Sequence, residues 1–275
     1  LPDNTFDGRT MVMSGGSRGI GLAIATAFAV RGGNVVLLAK TDQPHPRLPG
    51  TIHTAVTEIT SGGGNAVGVV GDVRDEADVE RAVATAVREF GGVDVCVNNA
   101  SVLDLSPTDV LPMHKFDLMQ QVNVRGTFTL TRACLPYLRK SPTAQILTLS
   151  PPLNMSPQWL GPRPAYTLAK YGMTLLAMGF AAEFADIPVA STCLWPETTI
   201  ATAAVRNLLG GDEAAAHSRD PEIMADAAAI VLADPGEYAG RCVLDADVLA
   251  AAGTTDLSRY GGQPPIAYDI FVDPR

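Results

Sequence analysis

Tyr166 and Lys170 stand four residues apart inside the helix-compatible run AYTLAKYGMTLLAMGFAAEF. That spacing puts a phenol and an ammonium on one helix face. A cation beside a phenol favours the phenolate and lowers the tyrosine pKa. A phenol tuned toward neutral pH can pass a proton to or from an alcohol or carbonyl oxygen. Taken alone, such a pair is more often an interfacial tyrosine beside a solvated lysine, so its meaning depends on what else the chain supplies. The second suggestive stretch is Gly15-Gly16-Ser17-Arg18-Gly19-Ile20-Gly21. Glycines let backbone approach a pyrophosphate, and the free N–H groups of a following helix bind the anion.

Both stretches need particular elements around them. Thr10-Met-Val-Met-Ser14 reads as a short buried strand, and LAIATAFAVRG as a helix stopped by Gly32-Gly33. Strand, glycine turn and helix form the context that a dinucleotide fingerprint requires; a mobile glycine loop is the bland alternative. The glycine spacing is G-x-x-x-G-x-G, not the commoner G-x-G-x-x-G. The second strand is Asn34-Val-Val-Leu-Leu-Ala39. At its end an NAD-binding chain places a carboxylate on the ribose 2′-hydroxyl. Here the residues are Ala39-Lys40-Thr41, so Lys40, with Arg18 in the glycine turn, favours NADP over NAD. Asp42 argues the other way, and Lys40 also fits an ordinary surface lysine. In the loop TDQPHPRLPG, His45 and Arg47 either cover the adenosine end or are solvated.

Further along, TIHTAVTEITSGGG reads as a helix, and Ala66-Val-Gly-Val-Val70 as a third strand followed by Gly71-Asp72-Val73. DEADVERAVATAVREFGG is an amphipathic helix with Asp75 as N-cap and Gly91-Gly92 as its stop. Asp94–Val97 is a fourth strand, ending in Asn98-Asn99-Ala100-Ser101. A long helix through Asn123 is expected to end near Pro136, before the strands Ala144–Leu149, Val189–Leu194 and Gly240–Leu244 and a helix from Pro221 to Leu232. The small, polar stretch 200–220 suits a mobile flap, and the tail 253–275 either wraps the body or a partner subunit or is loose. This alternation predicts a single-domain, Rossmann-like, doubly wound parallel α/β sheet of about seven strands with helices on both faces. The dinucleotide-binding and catalytic domain is expected over 1–252, with 253–275 as its C-terminal tail.

The chain has 275 residues, 47% apolar, enough to bury a sizeable core. Its net charge of −9 disfavours a phosphate-tracking surface for nucleic acid. No apolar run of about 18 residues spans a membrane, and LPDNTFDGRT lacks the apolar region of a signal peptide. Cys96, Cys134, Cys193 and Cys242 are far apart, which fits reduced thiols and a cytoplasmic location. His45, His53, His114 and His217 show no metal-ligand spacing, so no metal is expected.

The glycine turn, Asn98-Asn99-Ala100, Asn123, Tyr166-x-x-x-Lys170 and Pro196-x-Thr198 occur in an order that resembles the short-chain dehydrogenase/reductase family. The resemblance spans nearly the whole chain. It implies hydride transfer between a nicotinamide cofactor and a carbonyl or alcohol carbon. Tyr166 would be the general acid/base, and Lys170 would hold the nicotinamide ribose and depress the tyrosine pKa. Asn123 would hold a water that links Lys170 to solvent. Gly15, Ser17, Arg18, Gly19 and Ile20 would cradle the phosphates, Asp72 and Val73 would flank adenine, and Asn99 and Ala100 would lie along the cofactor. Pro196 with Thr198 or Thr199 would meet the carboxamide. The bland readings are a strand clamp for Asn98, a helix-bending polar group for Asn123 and a helix N-cap for Thr199. A homodimer or homotetramer is also implied, through the helices around 113–138 and 165–184.

The chain departs from the family pattern where a serine after the fifth strand would hold the substrate oxygen. Ser150 is followed by proline, and the residue 13 before Tyr166 is Leu153. Ser150, Asn154 or Ser156 takes that role, or nothing does. Ser101 and Glu197 stand where the family prefers glycine, and Glu197 would bring a carboxylate near the nicotinamide end. Leu153, Met155, Trp159, Leu160, Leu208 and Leu209 would line a pocket for an apolar carbonyl or alcohol, or else pack in the core. The alternative to an enzyme is an NADP(H)-binding protein with weak or no catalysis because the serine site is altered.

Overall fold

Seven apolar runs form the strands β1 (Thr10–Ser14), β2 (Asn34–Ala39), β3 (Asn65–Val70), β4 (Val95–Asn98), β5 (Ala144–Leu149), β6 (Val189–Trp195) and β7 (Cys242–Leu244). They were obtained in a computed structural model that describes residues 1–44, 48–208 and 210–274. All pair in parallel, in the order β3-β2-β1-β4-β5-β6-β7. Every residue of β1, β4 and β5 is buried, because helices cover both faces of the sheet. Strand order reverses between β1 and β4, where Ser14 pairs with Asn98 at the carboxyl ends. A crevice opens at such a reversal because the chain leaves neighbouring strands toward opposite faces.

Local chemistry sets most helix limits. Thr51 and Thr54 form a reciprocal capping box at the start of Ile52–Ser61. Asp75 accepts the Ala77 N–H (2.9 Å) at the start of Glu76–Phe90, which ends at Gly91 with φ 88°. The helix through Asn123 is not uniform: Met113–Met119 passes through a π-helical turn, Gln120–Arg125, into Gly126–Leu138. It runs two residues past Pro136, which it tolerates inside its last turns. Widened turns of this kind often re-aim a polar group, and Asn123 sits within this one.

The two faces of the sheet carry separate apolar clusters, one with Met11, Phe28, Leu37 and Ile223, the other with Val12, Leu38, Leu130 and Phe180. A third cluster joins the helix Pro164–Glu183 to the C-terminal segment through Tyr166, Tyr171, Trp195, Phe271 and Val272. The stretch 200–220 holds two short helices, Ala203–Leu208 and Gly211–Ala216, with Ile200 bridging Arg219.

Candidate active site

The ends of β1 and β4 are stitched together at the crevice. Asn99 Nδ2 donates to the carbonyls of Ser14 (3.1 Å) and Gly15 (2.9 Å), and Ser14 Oγ accepts the N–H groups of Asn99 (3.3 Å) and Ala100 (3.2 Å). This closeness is why glycine is needed. Gly15 has φ +76°, and a Cβ there would lie 2.9 Å from Ala100 Cα, while a Cβ on Gly21 would overlap the Asn99 amide. No side chain caps the helix Gly19–Ala29, which leaves its first N–H groups facing the cleft for an anion. Arg18 donates to the Gly50 carbonyl (3.0 Å), and burial lowers its pKa. A cradle that a Cβ would fill, joined to an uncapped helix start, fits the pyrophosphate of a dinucleotide.

From this cradle a cleft of about 890 Å³ runs along the strand ends. Gly15, Ser17, Arg18, Gly19, Ile20, Lys40, Asp72, Val73, Asn99, Ala100, Tyr166, Lys170 and Pro196 all line it. Exposed Lys40 ends the β2 side. Asp72 is gripped by Arg74 through Nε (3.0 Å) and an Nη (2.7 Å), which holds its carboxyl below the usual range, with Lys40 adding to the effect. His45, Arg47 and Leu209 lie outside the described residues.

At the far end stand Tyr166 and Lys170, on a helix that starts with Pro164. Lys170 is buried, donates to the Leu149 carbonyl (2.7 Å) and lies 4.8 Å from the Trp195 ring centroid. Burial pushes its pKa down to about 7, opposed by Asp269 and Cys193. Tyr166 does not follow the expectation of a lowered pKa. Burial pushes it up and Asp269 adds to the rise, with only Arg163 opposing. Both groups have lost water, and each charged form is disfavoured by that loss.

Other expected residues stand off the cleft wall. Asn123 accepts the Val102 N–H (2.8 Å) and donates to the Val102 carbonyl (3.1 Å), so it clamps a cleft residue from behind. Thr198 is buried and bridges Tyr268, and Thr199 is no helix N-cap: its N–H donates to the Ala267 carbonyl (2.9 Å). Ser150 is fully buried off the cleft wall, with its hydroxyl beside the Cys193 thiol. Asn154 is committed to the tail through Nδ2 and Asp273 (2.8 Å), and the Ser156 hydroxyl is buried without a partner among the described residues. Asn98 is the strand clamp of the bland reading, donating to Thr131 (3.0 Å) and Thr148 (3.4 Å). Glu197 does not line the cleft.

The expected apolar pocket also differs. Leu208 lines the cleft, but Leu153 and Met155 are exposed, and Trp159 and Leu160 pack against the tail cluster. Sequence reasoning missed Trp195, Thr202, Asp269 and Ile270, which do line it. For Asp269 and Ile270 the hint was the apolar residues of IAYDIFVDP, which suggest burial but no location.

The family model for short chain dehydrogenase matches residues 9–210. Hydroxysteroid dehydrogenase-like protein 2 of Danio rerio is 47% identical over 97% of this chain and 64% of its own length. The chain thus spans less than two thirds of that relative. A short chain dehydrogenase structure from Mycobacterium thermoresistibile is 52% identical with a TM-score of 0.91, covering 97% of this chain and 96% of that one. A structure from Xanthomonas campestris is 47% identical with a TM-score of 0.93 and covers both chains fully.

Proposed function

The chain belongs to the short-chain dehydrogenase family, and from that premise we propose that it moves a hydride between NADP(H) and an apolar carbonyl or alcohol, with Tyr166 as general acid/base. The observation that carries this reading is one continuous cleft: the glycine cradle at one end, Tyr166 and Lys170 at the other. The bound nicotinamide would supply or accept the hydride. The chain's own part is to orient and to move a proton. Ser17, Arg18 and the glycine turn hold phosphate, and Lys40 with Arg18 offers positive charge where a 2′-phosphate would lie. Tyr166 gives its proton to the carbonyl oxygen in reduction and takes it from the hydroxyl in oxidation. Lys170 stabilises the phenolate while that proton is away, and Asn123 positions Val102. Pro196 meets the carboxamide, with Thr198 and Thr199 holding its loop. Ile20, Asp72, Val73, Asn99 and Ala100 complete the cofactor wall.

The described residues contain no helix long and apolar enough to cross a membrane. The cysteines are all free thiols, which supports a cytoplasmic setting. Leu168, Leu175 and Met178 are exposed on one face of the helix Pro164–Glu183, near exposed Phe128. That stripe supports a homodimer or homotetramer.

Two measurements test the reading. Tyr166→Phe should lower turnover by about 10²- to 10⁴-fold; unchanged turnover would remove Tyr166 from the chemistry. In fluorescence titration, Lys40→Ala should weaken NADPH about tenfold and leave NADH unchanged, as loss of one charged contact implies. Tighter NADH than NADPH binding in the unmodified chain would reverse the cofactor assignment. A second reading, a cofactor-binding protein with weak catalysis, draws on Ser150 lying off the cleft. It predicts tight NADPH binding without turnover of any alcohol or ketone.

A further inference from the structure

The substrate end of the cleft has a wall that no family motif describes. The C-terminal segment returns across the carboxyl end of β6 and is fixed there at several points. Tyr268 bridges Thr198, the Asp269 N–H donates to the Glu197 carbonyl (3.0 Å), and Trp195 Nε1 donates to the Ile270 carbonyl (3.0 Å). Phe271, 1% exposed, packs among rings, with centroids 5.0 Å from Tyr171 and 6.1 Å from Tyr166. Asp273 then accepts from Asn154 (2.8 Å), Gln158 (2.6 Å) and Trp159 (2.8 Å). The segment is anchored on both sides of residue 269.

That anchoring sets Asp269 in the cleft wall with Tyr166, Lys170 and Pro196, close enough for its carboxyl to act electrostatically on both Tyr166 and Lys170. Its Oδ1 accepts the Ile270 N–H (2.8 Å), which fixes the plane of the group. No residue expected to hold the substrate oxygen beside Tyr166 reaches this wall: Ser150, Asn154 and Ser156 are all absent from it. We propose that Asp269 is a catalytic residue of this chain, its protonated carboxyl donating the second hydrogen bond to the substrate oxygen that Tyr166 protonates. The proposal rests on the oxidoreductase reading above.

In reduction, hydride arrives at the carbonyl carbon, the C=O π pair becomes the new O–H bond, and the proton of that bond comes from Tyr166. The proton on Asp269 is shared with the oxygen and not transferred, and the Tyr166 phenolate regains its proton from water. A hydrogen-bond donor aimed at developing negative charge lowers the barrier, whereas a carboxylate in the same place would oppose that charge. The environment favours the acid form. Burial raises the Asp269 pKa to about 7, Asp245 adds to the rise, and Lys170 opposes it. Asp245 is itself raised to about 6 by burial, with Glu197 beside it, and Tyr166 is the other titratable group that feels Asp269. Arg163 and Cys193 reach the cluster through Tyr166 and Lys170.

The test uses the full chain, NADPH, and cyclohexanone and 2-decanone as probe ketones. Asp269→Ala should lose on the order of 100-fold in kcat/KM. Asp269→Asn keeps a donor and an acceptor for the Ile270 N–H, so it should fold normally and lose less than about tenfold. Wild-type reduction should fall as pH rises through about 7. In Asp269→Asn the limb should become shallower and move to lower pH, because only Lys170, which loses its neighbouring charge, is left to titrate. A limb of unchanged midpoint and steepness overturns the proposal, as does wild-type turnover by Asp269→Ala. A readout free of turnover is the ¹³C carboxyl titration of Asp-labelled chain, with the Asp269 signal assigned by its loss in Asp269→Asn. A midpoint in the ordinary carboxylate range rejects the acid form even if neither ketone reacts. Absent turnover with a midpoint near 7 keeps the acid form of Asp269 but removes its catalytic role together with the oxidoreductase reading.

Discussion

The two ends of the cleft are built in opposite ways. The glycine-turn end is made of backbone: bare glycines, an uncapped helix start and amide clamps between β1 and β4. The Tyr166 end is made of side chains from distant parts of the chain: Tyr166 and Lys170 from one helix, Trp195 from β6 and Asp269 from the tail, with Phe271 packed behind them. Backbone geometry tolerates almost no added atom. A side-chain wall can change its chemistry while its frame stays the same.

If the ends are separable, damage to each should stay local. The largest effect on binding is expected from Gly21→Val, whose side chain would overlap the Asn99 amide. NADPH affinity should fall at least about 100-fold, equivalent to roughly 2.7 kcal/mol, while tryptophan fluorescence from the tail cluster stays unchanged. A matching change in that fluorescence would show that the ends are one unit.

Next comes Phe271→Ala, which empties a buried aromatic site. It should cost about 3–5 kcal/mol in urea unfolding yet shift the NADPH Kd by less than about threefold. A collapse of NADPH binding in a still-folded variant would break the comparison from the other side.

The smallest effect should come from Asp75→Ala, which removes a helix cap in the cofactor half. A loss of about 1 kcal/mol is expected. Combined with Phe271→Ala, the two losses should add within about 0.5 kcal/mol, as for sites with no shared partners. A larger coupling energy would measure how strongly the halves communicate.

The same division separates what was legible from what was not. The glycine turn, the Asp75 cap, the strand alternation and the Tyr166/Lys170 spacing are encoded within a few residues each. The parallel sheet, and the gathering of these residues along one cleft, followed from them. Ser150 could not be judged this way, because whether a hydroxyl reaches a cleft depends on how the Ser-Pro turn leaves β5. Nor could Leu153 and Met155, whose apolar character suited a pocket but which the structure leaves exposed.

By itself, then, the sequence determined the elements, their order and the glycine turn between β1 and its helix, since short-range backbone sterics and capping decide these. Tertiary structure alone decided that Asn123 clamps Val102, that the tail covers the catalytic helix, and that Asp269 meets Lys170 across a separation no spacing rule spans. It also reversed the expected sense of the Tyr166 pKa. Proton affinity follows the water and charge around a group in space, and folding brings those neighbours from anywhere in the chain.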